Sequence, residues 1–359
     1  MGSRRVGFLD FRWGLAWALC LVALACVQQA SGQSGRRYEL GAQSSEQKVY
    51  EEDEDEGVLR VRTAEVLLPV SVRDQAGAPV NGLGLESFFV YDNGVRQQIN
   101  SFNRERIPAN IVLLLDASGS VFRQMRTIRE AAKQFIRGLE KDDRICVMQF
   151  ADRVELLQDW TTASELKPLL KSLDWRYHPG ESTAFYDGLY LAAHEQLSKV
   201  QGRRLIILLT DGIDTGERLH ATYANALNAV RRQDATVYVV SLTASLRALL
   251  REQTGGKLGR ILAGGYDPRQ VARYNSQIDA AERLLTGLAD QTGGRIFLPV
   301  EEDDLTPAYS AIAEELRTQY IITYQPQPKA LAGSWRNIRV LVAPGGYEVA
   351  TRRGYAVPK

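Results

Sequence analysis

Residues 111–120 read Ile-Val-Leu-Leu-Leu-Asp-Ala-Ser-Gly-Ser, and residues 205–212 read Leu-Ile-Ile-Leu-Leu-Thr-Asp-Gly. Each is a continuous apolar run that stops at an aspartate. A run without a polar face belongs to a strand covered on both sides, as in a parallel sheet sandwiched by helices. Residues 145–150 and 237–242 have the same character. Between the first two of these runs, Val121, Met125, Ile128, Ala132, Phe135 and Leu139 step by fours and threes, which is one face of an α-helix. Apolar strands alternating with helices predict an α/β fold, a doubly wound, mostly parallel sheet over residues 107–320.

In such sheets ligands bind outside the carboxyl ends of the strands, near the point where the strand order reverses. Asp116 and Asp211 are therefore expected to meet on one edge. Alternation places Asp116, Ser118 and Ser120 on the same side of their loop. Only oxygen atoms are offered, which suits a hard cation such as Mg²⁺ or Ca²⁺ better than zinc.

Outside this region the period changes to two. Val66, Leu68, Val70 and Val72 alternate with other residues, and Asn93-Gly94 lies between two strand-like runs. Asn-Gly is a strong hairpin signal because both turn residues must take positive φ. After Tyr320 the β pattern returns, with Ile338, Val340 and Val342 alternating. Residues 58–106 and 321–359 are expected to pair into a small β-sandwich, with the α/β region inserted between them. A last helix is expected from Thr306 as N-cap and Pro307 as first residue, burying Tyr309, Ile312 and Leu316.

The amino terminus carries Arg4, Arg5 and Arg12 ahead of an apolar run at 13–27, then Ala30-Ser31-Gly32. The run is shorter than the ~20 residues a spanning helix needs, and the small residues suit a cleavage site. Residues 1–32 are read as a signal peptide, leaving no membrane span after cleavage and placing the protein in the periplasm, outer envelope or medium. Residues 33–57 end in six consecutive acids and read as a disordered acidic linker. The exported chain would keep one cysteine, Cys146, within a buried strand. The chain has 359 residues with 44 Lys and Arg against 43 Asp and Glu. That balance gives no electrostatic footprint for nucleic acid.

Asp116-x-Ser118-x-Ser120, Thr183 within Gly180-Glu181-Ser182-Thr183, and Asp211 within Leu-Leu-Thr-Asp-Gly together resemble the metal-ion-dependent adhesion site of von Willebrand factor A (VWA) domains. The resemblance extends to Gln291-Thr292-Gly293-Gly294. On the flanks, Leu85-Glu86-Ser87-Phe88 and Trp335-Arg336-Asn337-Ile338 are similar to a VWFA-related family described from Acidobacteria, in which Met often stands where this chain has Val121. The resemblance implies a Rossmann-like VWA fold and a site for Mg²⁺, with Ca²⁺ or Mn²⁺ as substitutes. It implies that Ser118 and Ser120 touch the cation, that Asp116 and Asp211 act directly or through water, and that Thr183 joins in one conformational state. An Asp or Glu of a partner protein would complete the shell, and movement of the last helix would set affinity. The implied class is an adhesion or protein-binding protein rather than an enzyme. The alternatives are a structural module of the cell envelope with a constitutive metal, and a metal-dependent hydrolase.

No catalytic motif supports the hydrolase. His178, His194 and His220 are scattered, and a strand-end aspartyl nucleophile would need a second Asp where Ser118 stands. Asp187 and Asp214 read as solvated turn carboxylates. Residues 244–277 form a long insertion on the edge that carries the site. Its Arg247, Arg251, Lys257, Arg260, Arg269 and Arg273 predict a basic lid favouring an acidic ligand. Trp175, Tyr177 and His178 are expected to add an aromatic rim.

Overall fold

Every residue of the strand Ala109–Asp116 is buried, as its apolar run requires. The computed structural model of the protein describes residues 37–38, 65–104, 106–214, 220–255, 268–329 and 331–357. The predicted signal peptide and the acid run at 51–56 lie outside the described residues.

In chain order the amino-terminal strands are β1 (Arg37–Tyr38), β2 (Val66–Arg73), β3 (Phe88–Asp92), β4 (Val95–Arg96) and β5 (Ile99–Asn103). The α/β region follows with β6 (Ala109–Asp116), α1 (Met125–Arg137), β7 (Arg144–Phe150), β8 (Val154–Thr162), α2 (Leu166–Arg176) and α3 (Phe185–Leu191). It continues through β9 (Arg203–Thr210), α4 (Tyr223–Arg232), β10 (Thr236–Ser241), α5 (Thr243–Gly255), α6 (Pro268–Thr292), β11 (Ile296–Phe297) and α7 (Leu305–Thr318). The chain closes with β12 (Tyr320–Tyr324), β13 (Trp335–Val342), β14 (Glu348–Ala350) and β15 (Gly354–Ala356).

The large sheet has the order β1-β8-β7-β6-β9-β10-β11. From β7 to β11 it is parallel, while β8 and β1 add an antiparallel edge. Alternate residues of β6 feed two cores. Ile111, Leu113 and Leu115 pack with α1 and α7 on one face, and Val112 and Leu114 pack with α3, α4 and α6 on the other. The doubly wound, mostly parallel sheet is thus as the apolar runs predict. Strand β8 is an addition to that expectation. Its residues alternate poorly because only its first half is buried; β1 covers only Val154 and Glu155, and the strand is turned back from β7 by Ala151-Asp152-Arg153.

The flanking strands do pair across the chain. One small sheet runs β14-β2-β12-β5 and the other β15-β13-β3-β4. Val66, Leu68, Val70, Ile322 and Tyr324 of the first pack against Phe88, Val90, Ile338 and Val340 of the second, forming a sandwich with its own core. Asn93 and Gly94 turn the β3–β4 hairpin at φ 48° and 81°.

Helix α7 begins at Leu305, two residues before the predicted first residue Pro307, and Thr306 does not cap it. A preceding turn is closed instead by Glu301 and Asp304, each side chain accepting from the other's backbone amide. Three acids there also suit the positive end of the helix dipole. Tyr309, Ile312 and Leu316 are buried, as expected.

The carboxyl end of α7 is held at the junction with the sandwich. Glu315 accepts hydrogen bonds from Ser71 of β2 at 2.8 Å and from Tyr238 of β10 at 2.9 Å, and it pairs with Arg73. Gln319 donates to the same Ser71 and Tyr238 oxygens, both at 2.9 Å, and accepts from Arg203 of β9. Every member of this network is buried. Burial and the Glu315 carboxylate push the Tyr238 phenol well above its ordinary pKa, so it remains a donor. Removing one partner of a buried ion pair leaves the other charge unsatisfied, at about 3–5 kcal/mol. Glu315→Ala is therefore expected to lower unfolding stability by that amount, read from the urea midpoint, with Glu315→Gln losing less.

Candidate metal site

Strands β6 and β9 pair in parallel with Leu115 opposite Leu209. The residues that follow, Asp116 from one and Thr210-Asp211 from the other, therefore leave the sheet side by side. Sheet order places β7 on one flank of β6 and β9 on the other, so chain crossovers depart in both directions at this edge. That is where doubly wound sheets open a crevice.

Asp116 is fully buried. Its Oδ1 accepts from the Ser118 amide at 2.8 Å and its Oδ2 from the Thr210 hydroxyl at 2.7 Å. Its backbone carbonyl accepts from the Tyr177 hydroxyl at 2.5 Å. Burial, with the Asp211 carboxylate nearby, pushes the Asp116 carboxyl from 3.8 up to about 7, despite the hydrogen bonds from Ser118 and Thr210. Asp211 is equally buried. Its Oδ1 accepts from the Ile213 amide at 2.9 Å, while its Oδ2, shut off from solvent, has no hydrogen-bond partner. Burial raises its pKa as well, and the Ser120 hydroxyl and the Ile213 amide offset part of the rise.

The hydroxyls of Ser118 and Ser120 share a hydrogen bond at 2.9 Å. Thr183 is buried and lines the same pocket as Ser120 and Asp211. Its loop is pinned to the Asp116–Ser120 turn by the Gly180 amide, which donates to the Ala117 carbonyl, and to the residue after β7 by the Ala184 amide, which donates to the Ala151 carbonyl, both at 2.8 Å. Asp152 braces the same loop, accepting from the Ser182 amide at 2.7 Å and its hydroxyl at 2.8 Å. Those hydrogen bonds hold the Asp152 carboxyl below the usual range.

All five residues singled out in the sequence thus converge on one edge, Asp116 and Ser118 beneath and Ser120, Thr183 and Asp211 facing the opening. Two buried carboxylates of like charge, one with an orphaned oxygen, beside three hydroxyls form a donor set that fits a hard cation. Among the described residues no cluster of three or more His, Cys, Asp or Glu side chains gathers. The site therefore depends on its hydroxyls.

Several surrounding residues differ from expectation. Tyr177 is not part of a rim; it is buried and orients the Asp116 carbonyl. Asp187 is not solvated either, accepting from the Ala221 amide at 2.7 Å at a buried helix start. Asp214 accepts from the Tyr186 amide at 3.3 Å. The side chain of Trp175 lies outside what is described, and His178 is exposed. Thr210, Asp152 and Tyr177 were missed as supports because each acts through a partner distant in sequence.

The described residues of the 244–277 segment are helical, belonging to α5 and the first turns of α6. Arg247 is neutralised locally by Asp279 at 2.8 Å and Glu282 at 3.1 Å. Lys257 and Arg260 lie outside the described residues. The wall that α5 and α6 present to the site is instead apolar, with Leu246, Leu249, Leu250, Val271, Tyr274 and Ile278. Together with Ser120, Thr183 and Asp211 it encloses a pocket of about 670 Å³.

Helix α6 also rests on the Asp211 loop. Gly212 has φ +73°, and a Cβ there would lie 2.7 Å from Leu285 Cδ1 and 3.4 Å from the Ala281 Cβ. Gly212 is needed both for its left-handed backbone and for this close approach.

With that geometry, residues 110–275 match the family model for the von Willebrand factor type A domain, and the chain carries a domain of this class. A 109-residue stretch is 34% identical to an uncharacterised protein, sll0103, of Synechocystis sp., covering 30% of this chain and 26% of that one. The chain spans about a quarter of that curated relative's length. Among solved structures, von Willebrand factor type A from Catenulispora acidiphila aligns over 76% of this chain and 73% of its own, at 14% identity and a TM-score of 0.45. Proximal thread matrix protein 1 of the mussel byssus, solved with a zinc-occupied MIDAS motif, aligns over 63% and 49%, at 16% identity and a TM-score of 0.44. Likenesses this distant carry no argument about the ligand.

Gly212→Ala is expected to cost about 1–3 kcal/mol through strain and overpacking against Leu285, measured by the denaturant midpoint. The raised pKa of Asp116 has its own signature in metal-free protein. Its contribution to stability is complete below the ordinary value of 3.8 and is lost as pH rises to about 7. Thermal unfolding across that window should show the loss in wild type and a flatter profile in Asp116→Asn.

Proposed function

We propose that the protein is exported and binds a partner protein through a divalent cation held by Ser118, Ser120, Thr183, Asp116 and Asp211. The observation that carries this reading is the Asp116–Asp211 pair: two buried carboxylates on adjacent strand ends, one with an orphaned oxygen, opening into a pocket through hydroxyl groups. A cation bound there supplies a Lewis-acidic seat for one carboxylate of the partner. The chain's own groups prepare that seat. Thr210 and the Ser118 amide hold Asp116 in place, and the Ile213 amide fixes one oxygen of Asp211 while leaving the other to the ligand. The Asp152 brace holds Ser182, the residue before Thr183.

The preferred ion is Mg²⁺, because an incomplete protein shell with few carboxylates leaves places for water and one incoming oxygen. A partner Asp or Glu gains most where the contact excludes solvent.

Calorimetric titration of metal-free protein with Mg²⁺ should show binding that Asp211→Ala and Asp116→Ala weaken at least tenfold with unchanged far-ultraviolet circular dichroism. Because the cation competes with the proton on Asp116, its affinity should rise between about pH 5 and about pH 8. Partners captured from the native envelope in magnesium should be released by chelator. Equal capture in magnesium and in chelator would contradict the proposal.

A further inference from the structure

The pocket beside the carboxylate pair has two unlike ends. Ser120, Thr183 and Asp211 form a polar floor, while α5 and α6 raise an apolar wall beside it. Leu246, Leu249 and Leu250 come from α5 and Val271, Tyr274 and Ile278 from α6. This wall is not sealed within the core: Tyr274 is 58% exposed, and the three leucines and Val271 are only partly buried. The helices that carry it are anchored, since Arg247 and Thr243 of α5 both bond to Glu282 of α6, at 3.1 Å each. The close seat of Leu285 over Gly212 ties α6 to the Asp211 loop, so wall and floor keep a set spacing.

We propose that this wall reads a large apolar side chain placed within two residues of the partner's acidic one. The site would then recognise a short acidic–apolar segment of polypeptide rather than a carboxylate alone. This rests on the proposed cation site and adds a specificity element to it.

Two observations select a polypeptide over other occupants. Along α6, Gln270, Tyr274 and Gln277 follow one face at spacings of four and three, and the two exposed glutamines border the pocket. Their amides offer a donor and an acceptor on either side of the tyrosine, which suits the backbone of an extended chain and has no use for an alkyl tail. The volume of about 670 Å³ accommodates a few residues. The charged residues of the lining are Glu181 and Asp211, so an acid finds its charge complement only in the proposed cation, and an apolar neighbour finds its contact at the wall. An acidic side chain alone would leave the wall wet, and burying a Leu or Phe there is worth roughly ten- to a hundredfold in affinity.

The test pans a phage-displayed library of random dodecapeptides on the full chain in magnesium and, in parallel, in chelator. The expected result is a magnesium-dependent set in which Asp or Glu lies within two positions of Leu, Ile, Phe, Tyr or Trp. For a synthetic peptide of that set, serine at the apolar position should cost at least tenfold in affinity by fluorescence anisotropy. Tyr274→Ala and Leu249→Ser should cost the same while leaving calorimetric Mg²⁺ binding intact. Enrichment of acids with no apolar neighbour, or unchanged affinity in both variants, would overturn the inference and leave the cation site standing. Acidic–apolar peptides that bind equally in chelator would support the wall and overturn the cation reading. Two results would assign the wall to another occupant and overturn the proposal: sedimentation showing a dimer that Tyr274→Ala dissociates, or tight binding of laurate without peptide enrichment.

Discussion

The Asp116–Asp211 pair is the constraint around which the edge of the sheet is organised. Two carboxylates removed from water beside one another raise each other's cost of ionisation, and burial alone already disfavours their charge. Hydrogen bonds from Thr210, the Ser118 amide and the Ile213 amide return part of that cost but leave one oxygen without a partner. Buried polar groups in folded proteins are almost always satisfied. The unpaired Asp211 Oδ2 is an exception to that rule beside the pocket, and the neighbouring loops are braced around it. Tyr177 fixes the Asp116 backbone, Asp152 fixes the segment before Thr183, and Gly212 admits Leu285 close to Asp211.

A second layer of organisation lies at the opposite end of the sheet. The small sandwich is tied to it by the Glu315 network, which gathers residues of β2, β9, β10 and α7 and the linker to β12. Any axial displacement of α7 must break or drag these buried bonds. The helix packs its other side with Tyr309 against Phe135 of α1, ring centroids 5.4 Å apart, and the Tyr309 hydroxyl is buried without a partner. One end of α7 is thus polar and heavily bonded, while its middle is held by packing alone.

Helices α5 and α6 change the character of the site edge. Residue charges in the segment suggest attraction of an acidic ligand, but Arg247 is paired with Asp279 and Glu282 of the neighbouring helix. What the two helices contribute to the pocket is mainly apolar surface. Charge read along the chain therefore misstates the role of Arg247, whose guanidinium is paired across two helices.

Much of this protein was legible from local pattern. Continuous apolar runs at 111–115 and 205–209 have no polar face to give to water, so both had to be central strands, and the aspartates that end them had to emerge on the same edge. Asn93-Gly94 likewise specified its hairpin through backbone conformation. Tertiary structure decided everything that depends on a partner far along the chain. Strand β8, half exposed at the edge, has too weak an alternation to announce itself. Tyr177 looked like a surface aromatic until folding placed its hydroxyl 2.5 Å from the Asp116 carbonyl. Periodicity records which faces of an element avoid water, because that preference is local. Which acid stays ionised, which arginine is neutralised and which oxygen is left unpaired are set by neighbours that only the assembled fold brings within reach.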